Sequence, residues 1–125
     1  MRTILVGAVM PLACLFGAAR ADEASAVKAV EKLGGKVTRD DKLPGKPVIG
    51  VNLTGTGVTD AGLKALKDLK QLTTLNLDKT KVTDAGLKEL KELKQLTLLD
   101  IYKTQVTDAG VKELREALPN CRVIH

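Results

Sequence analysis

The sequence predicts an α/β fold: a short right-handed repeat solenoid with parallel strands on its concave side and helices on its convex side. Three observations carry this. Val-Thr-Asp-Ala-Gly occurs at Val58–Gly62, Val82–Gly86 and Val106–Gly110, twenty-four residues apart both times, and a fixed period of this length marks stacked supersecondary units. The agreement extends to the sets Val48/Leu72/Leu96, Val51/Leu75/Leu99, Leu53/Leu77/Ile101, Thr56/Thr80/Thr104, Leu63/Leu87/Val111 and Leu66/Leu90/Leu114. Aromatic residues make up only 2% of the chain, one Phe and one Tyr with no Trp, so the core is aliphatic and suits narrow, regular layers.

The first twenty-one residues read as an export signal. Met1-Arg2-Thr3 gives a short positive region, Ile4 to Ala19 carries no charge, and Ala19-Arg20-Ala21 has the small-x-small pattern that signal peptidase reads. The apolar run is shorter than the roughly twenty residues a membrane-spanning helix needs. The expected location is therefore exported, either periplasmic or secreted. A variant reading places lipid on Cys14, because Leu12-Ala13-Cys14 resembles the end of a bacterial lipoprotein signal, although Pro11 stands where such signals usually have Leu. Cleavage after Ala21 leaves Cys121 as the only mature cysteine, so stability comes from packing without an internal disulfide.

Residues 22–47 do not fit the repeat and read as an N-terminal helical cap. Ala26, Val27, Val30 and Leu33 line one side of a helix from Asp22 to Leu33, which Gly34-Gly35 ends. Lys36-Val-Thr-Arg39 is a short strand candidate, and Lys42 to Pro47 is a turn-rich connection.

From residue 48 to 125 the expectation is three units plus a truncated fourth strand. Each unit reads as strand, turn, helix. In Leu72-Thr-Thr-Leu-Asn-Leu77 the apolar residues 75 and 77 alternate with polar ones, the period of a half-buried strand. Asp78 to Lys81 forms a turn, and Thr83 or Asp84 caps the helix that follows. Leu87, Leu90 and Leu93 recur three apart, which predicts a helix of about ten residues. Asp60/Lys64, Asp84/Lys88 and Asp108/Lys112 place an acid at each helix start and a base one turn later. One such unit cannot bury its own apolar face, so the units must stack. The Thr56/Thr80/Thr104 hydroxyls are expected to satisfy backbone groups inside the turns.

Leu72-x-x-Leu75-x-Leu77-x-x-Thr80-x-Val82 resembles the leucine-rich-repeat consensus, with Thr where the family usually has Asn or Cys. The following Val-Thr-Asp-Ala-Gly-Leu-x-x-Leu is similar to the ribonuclease-inhibitor-like and cysteine-containing subtypes, in a compact form seen in exported bacterial proteins. The resemblance covers Val48 to about Ile124. It implies recognition of a protein or other ligand on the concave strand face.

At the far end, Leu118 to Ile124 restarts the strand pattern with one residue inserted. Cys121 is then expected at the first strand leucine and Ile124 at the second, with Cys121 a core filler. The uncovered last strand is also a place for weak end-to-end self-association.

The formal charge of +5 does not indicate a nucleic-acid partner. Arg2 and Arg20 fall in the leader, leaving 18 basic against 15 acidic side chains that alternate along the helices. Chemistry is equally sparse. The only histidine is His125, and no metal-binding, phosphate-binding or nucleophile motif occurs. No catalytic, metal or cofactor site is expected, and the chain reads as a non-enzyme.

Strand alternation turns Asn52, Asn76 and Asp100 outward as one column, with Thr54, Asp78 and Tyr102 as the next and Gly50, Thr74 and Leu98 on the other flank. Asp78 and Asp100 are near enough for an acid pair, but calcium needs roughly six to eight oxygens. Tyr102 is the only mature aromatic, and aromatic residues are enriched among binding hot spots. The candidate partner-binding set is therefore Asn52, Thr74, Asn76, Asp78, Asp100 and Tyr102, facing an unidentified protein or peptide. The alternative is an envelope-associated structural protein, lipid-anchored through Cys14, whose Lys-rich helices touch a membrane surface or other repeat chains.

Overall fold

A computed structural model describes residues 23–125; the expected leader, its cleavage site and Cys14 lie outside the described residues. Helix α1 covers residues 23–32. It is followed by β1 (Lys36–Arg39), β2 (Val48–Asn52), α2 (Asp60–Leu66), β3 (Thr74–Asn76), α3 (Asp84–Leu90), β4 (Leu98–Asp100), α4 (Asp108–Ala117) and β5 (Arg122–Ile124). All five strands form one sheet in chain order. β1 runs antiparallel to β2, and β2 to β5 are mutually parallel. This is an α/β repeat fold, since each parallel strand reaches the next only by crossing over through a helix.

The register shows why the period is twenty-four. Val51, Leu75, Leu99 and Val123 lie side by side, as do Gly50, Thr74, Leu98 and Arg122. Successive strand residues face opposite sides, so the first set enters the core and the second stays out. Leu63 and Leu66, Leu87 and Leu90, and Val111 and Leu114 fill the same core from the helices, and thirteen leucines among the described residues are under 2% exposed. Each such burial contributes roughly 1.5–3 kcal/mol. Ala26, Val27 and Val30 of α1 join this cluster. Glu23 ties α1 to the sheet: its carboxylate accepts from Arg39 Nη1 at 2.8 Å and from the Val48 N–H at 3.0 Å.

The helices differ from the expected length. α2 and α3 hold seven residues, because the chain must turn back to the sheet within each unit. Leu93 is still fully buried, but it sits in a turn outside α3. Its N–H donates to the Leu90 carbonyl at 3.0 Å, and its own carbonyl accepts from Leu96 at 3.0 Å.

The last strand also departs from expectation. Cys121 is buried as expected, but Val123, not Ile124, takes the second leucine position. α4 is ten residues long, which delays Leu118 and Cys121 by one residue relative to Leu93 and Leu96. Arg122 then follows Cys121 directly, so the residue equivalent to Thr73 and Thr97 is missing. Insertion and omission cancel. The Arg122 N–H reaches the Thr97 carbonyl at 2.7 Å and the Ile101 N–H reaches the Ile124 carbonyl at 2.8 Å. A one-residue slip would expel Val123 from the core. Ile124 instead pairs beside Asp100 and is 38% exposed.

Candidate functional site

The outward face of the sheet is built by turn chemistry. Asn52 Oδ1 accepts from the Thr54 N–H at 2.9 Å, Asn76 Oδ1 from the Asp78 N–H at 2.9 Å, and Asp100 Oδ1 from the Tyr102 N–H at 3.0 Å. This side-chain mimicry of a backbone turn is what Asn and Asp do well, and it ends each strand at the same place. Asn76 Oδ1 also accepts the Thr54 hydroxyl at 2.7 Å, which joins neighbouring units. The sequence places these three side chains outward as one column, and the structure adds that each commits one oxygen to the backbone. Among the described residues, the amide nitrogens of Asn52 and Asn76 and the second oxygen of Asp100 make no hydrogen bond.

Thr54, Asp78 and Tyr102 lie just past the strands, in the turns, as expected for Asp78, whereas Tyr102 was expected to point from a strand. They still form a column, because the Gly55 N–H donates to the Asp78 carbonyl at 2.8 Å and the Lys79 N–H to the Tyr102 carbonyl at 2.9 Å. Tyr102 is 48% exposed, and Lys103 Nζ stands 5.3 Å from its ring centroid, within cation–π range. Asp78 is half-buried; one of its carboxylate oxygens has no hydrogen-bond partner among the described residues. Asp78 and Asp100 occupy neighbouring strand ends but successive columns, and Asp100 is bound to the Tyr102 backbone.

Thr74 is exposed on the flank nearer the strand starts. There Gly50 leaves a shallow depression lined by Thr38, Asn52, Thr74 and Asn76. A side chain at Gly50 would meet the Thr38 Cβ at 3.2 Å, so a larger residue there would press on β1. The face is thus graded, with hydroxyl and carboxamide groups and the Lys36 side chain, which pairs beside Asn52, over β1 to β3, and carboxylates with an aromatic ring over β3 and β4.

The threonine column behaves as expected. Thr56, Thr80 and Thr104 donate to the carbonyls of Leu53, Leu77 and Ile101 at 2.8, 2.7 and 2.6 Å. Sequence reasoning missed a second function of the pentapeptide. Asp60 accepts both the N–H of Thr83, at 2.8 Å, and its hydroxyl. Asp84 accepts both from Thr107 in the same way, with the N–H again at 2.8 Å. The side-chain and backbone bonds from Thr107 hold the Asp84 carboxyl below the usual carboxylate range, with Lys88 a minor contributor. A threonine and an aspartate at fixed phase also suit a helix cap, so the sequence carried no signal that separates the two roles. Thr83 and Thr107 do both: their hydroxyls also accept from Ala85 and Gly110.

Burial pushes the Cys121 thiol up, which suppresses the thiolate that nucleophilic chemistry requires. Among the described residues, no three His, Cys, Asp or Glu side chains gather as a metal-binding group, and no helix is long and apolar enough to cross a membrane.

Residues 51–67 and 70–91 match the family model described as Leucine Rich repeat. The span from 51 to 91 holds most of the first two units, and the same alternation of strand and helix continues beyond it. Such repeats typically serve as non-enzymatic modules for protein–protein interaction. No curated protein matches the chain.

Proposed function

We propose that this chain is an exported recognition module that binds a protein or peptide through the outward face of its sheet, with Asn52, Thr74, Asn76, Asp78, Asp100 and Tyr102 as the contact set. In this reading the units stack as a compact solenoid of the ribonuclease-inhibitor-like subtype, residues 1–21 direct export, and residues 22–47 cap the first unit. The observation that carries it is Tyr102: a half-exposed aromatic ring in an otherwise aliphatic molecule, its backbone held on Asp100 at 3.0 Å, beside a row of side chains with unused hydrogen-bonding groups. A fixed aromatic anchor with polar neighbours is the usual composition of a binding hot spot. The chain acts by binding and not by catalysis.

The test is affinity capture from an envelope fraction with wild-type chain, Tyr102→Ala and, as a control on the helical side, Lys88→Ala. Partner recovery should fall at least about tenfold for Tyr102→Ala, the loss of roughly 1.4 kcal/mol, and stay unchanged for Lys88→Ala. Equal recovery by all three removes the proposal. Salt-sensitive binding to anionic vesicles that survives Tyr102→Ala favours the envelope-contact alternative instead.

A further inference from the structure

On its β4 side the outward face of the sheet joins carboxylates to apolar surface. Leu98 and Asp100 point the same way from β4, since alternate strand residues share a side, and Tyr102 follows in the turn. Ile124 pairs beside Asp100. Two of the three exposed large hydrophobic side chains among the described residues, Tyr102 and Ile124, thus flank one carboxylate.

That carboxylate is fixed, because one Asp100 oxygen accepts from the Tyr102 N–H at 3.0 Å. Asp78 stands on the neighbouring turn, half-buried, with one oxygen closed off from solvent and lacking a donor among the described residues. Neither carboxylate forms an ion pair with a described residue. A carboxylate stripped of part of its water and left without a donor is costly, and a cation brought to its open side offsets that cost. The cations of the face, Lys36, Lys79, Lys103 and Arg122, are in the opposite condition: all are exposed, and pairing a solvated cation at a surface gains little. Lys103 also shows what the Tyr102 ring accepts, with its Nζ 5.3 Å from the ring centroid.

We infer that the partner bound by this face presents a basic side chain, Lys or Arg, whose charged head meets Asp78 and Asp100 while its aliphatic stem lies along Leu98, Tyr102 and Ile124. This rests on the sheet-face reading and narrows the partner to a basic peptide segment. An acidic segment would meet fixed like charges, and an uncharged one would leave both carboxylates unpaired.

The experiment follows backbone amide NMR signals of the full chain during titration with acetyl-Gly-Arg-Gly-amide, and separately with the same tripeptide carrying Lys, Gln or Glu in place of Arg. The Arg and Lys peptides should shift Asp78, Leu98, Asp100 and Tyr102 with dissociation constants on the order of 1–10 mM, and the Gln and Glu peptides should not. Asp100→Asn removes the charge and keeps the turn, since Asn76 and Asn52 make the same bond one and two units earlier. Binding of the Arg peptide should weaken about threefold in Asp100→Asn, the effect of one exposed ion pair, and similarly in Asp78→Asn. Three results overturn the inference: no shifts at these residues up to about 20 mM Arg peptide, equal or tighter binding of the Gln or Glu peptide, or Arg-peptide binding indifferent to both substitutions. A Tyr102→Ala chain that still loses its captured partner alongside any of these keeps the sheet-face reading and discards only the basic partner.

Discussion

The Asp84 carboxylate accepts both the backbone N–H and the hydroxyl of Thr107, twenty-three residues later. A side chain that looks like a helix-start acid is therefore a clamp between units, and Asp60 with Thr83 repeats it.

Replacing Asp84 by Ala should destabilise the fold by about 1.5–3 kcal/mol at neutral pH, the usual range for hydrogen bonds to a charged group, read as a lower urea midpoint. The loss has a defined pH dependence. The folded carboxyl titrates below its ordinary value because of Thr107, so its contribution is full above the unfolded value and disappears as pH falls through the lowered folded value. Wild type and Asp84→Ala should converge in strong acid. In Thr107→Val, the Asp84 carboxyl titration followed by NMR should move back up.

Gly110 shows how the clamp constrains the neighbouring helix. Alanine is the better helix former by about 1 kcal/mol, yet a side chain at Gly110 would collide with the Asp84 carboxylate. Gly110→Ala should therefore destabilise the protein, while the same change in an Asp84→Ala background should be neutral or stabilising. Additive effects in this double-mutant cycle would show that the two residues do not compete for the same space.

The turns after β2, β3 and β4 each contain one left-handed residue: Gly55 at φ 69°, Lys79 at 58° and Lys103 at 56°. A side chain in that conformation costs on the order of 1 kcal/mol. Gly55 has nothing within 4 Å of a would-be Cβ, so Gly55→Ala isolates the backbone cost and should lower stability by about 1 kcal/mol. Lys79→Gly should raise stability by up to a similar amount. Thermal unfolding of the two variants should shift in opposite directions.

Among the described residues, Thr80 is the one polar residue in the buried set, at 5% exposure. Valine at this position keeps the shape but leaves the Leu77 carbonyl without its 2.7 Å donor. Thr80→Val should cost about 1–3 kcal/mol, and the more exposed Thr56→Val and Thr104→Val should cost less.

The fold was legible because hydrophobic phase is a property of sequence. Leu75, Leu99 and their helical counterparts keep their positions through three units, and the strands pair in the register that the period implies. The end of the repeat was not legible in the same way. Counting from Leu118 places Ile124 in the core, but only the hydrogen bonds from Arg122 and to Ile124 show that a residue is omitted after Cys121. The outward face of the sheet was half legible. Alternation identifies Asn52, Asn76 and Asp100 as a column, whereas their bonds to the next backbone N–H depend on bend geometry that side-chain identity alone does not specify. The interunit role of Asp60 and Asp84 was hidden for a related reason: partners twenty-three residues apart are brought together by stacking.

The compensation in the last unit has a consequence for how such a chain tolerates change. α4 gains three residues over α3 while the strand residues stay twenty-four apart, so the sheet acts as the ruler and the helical side absorbs variation. Lengthening the 117–120 connection should thus be cheap, and adding a single residue within 98–100 should be ruinous.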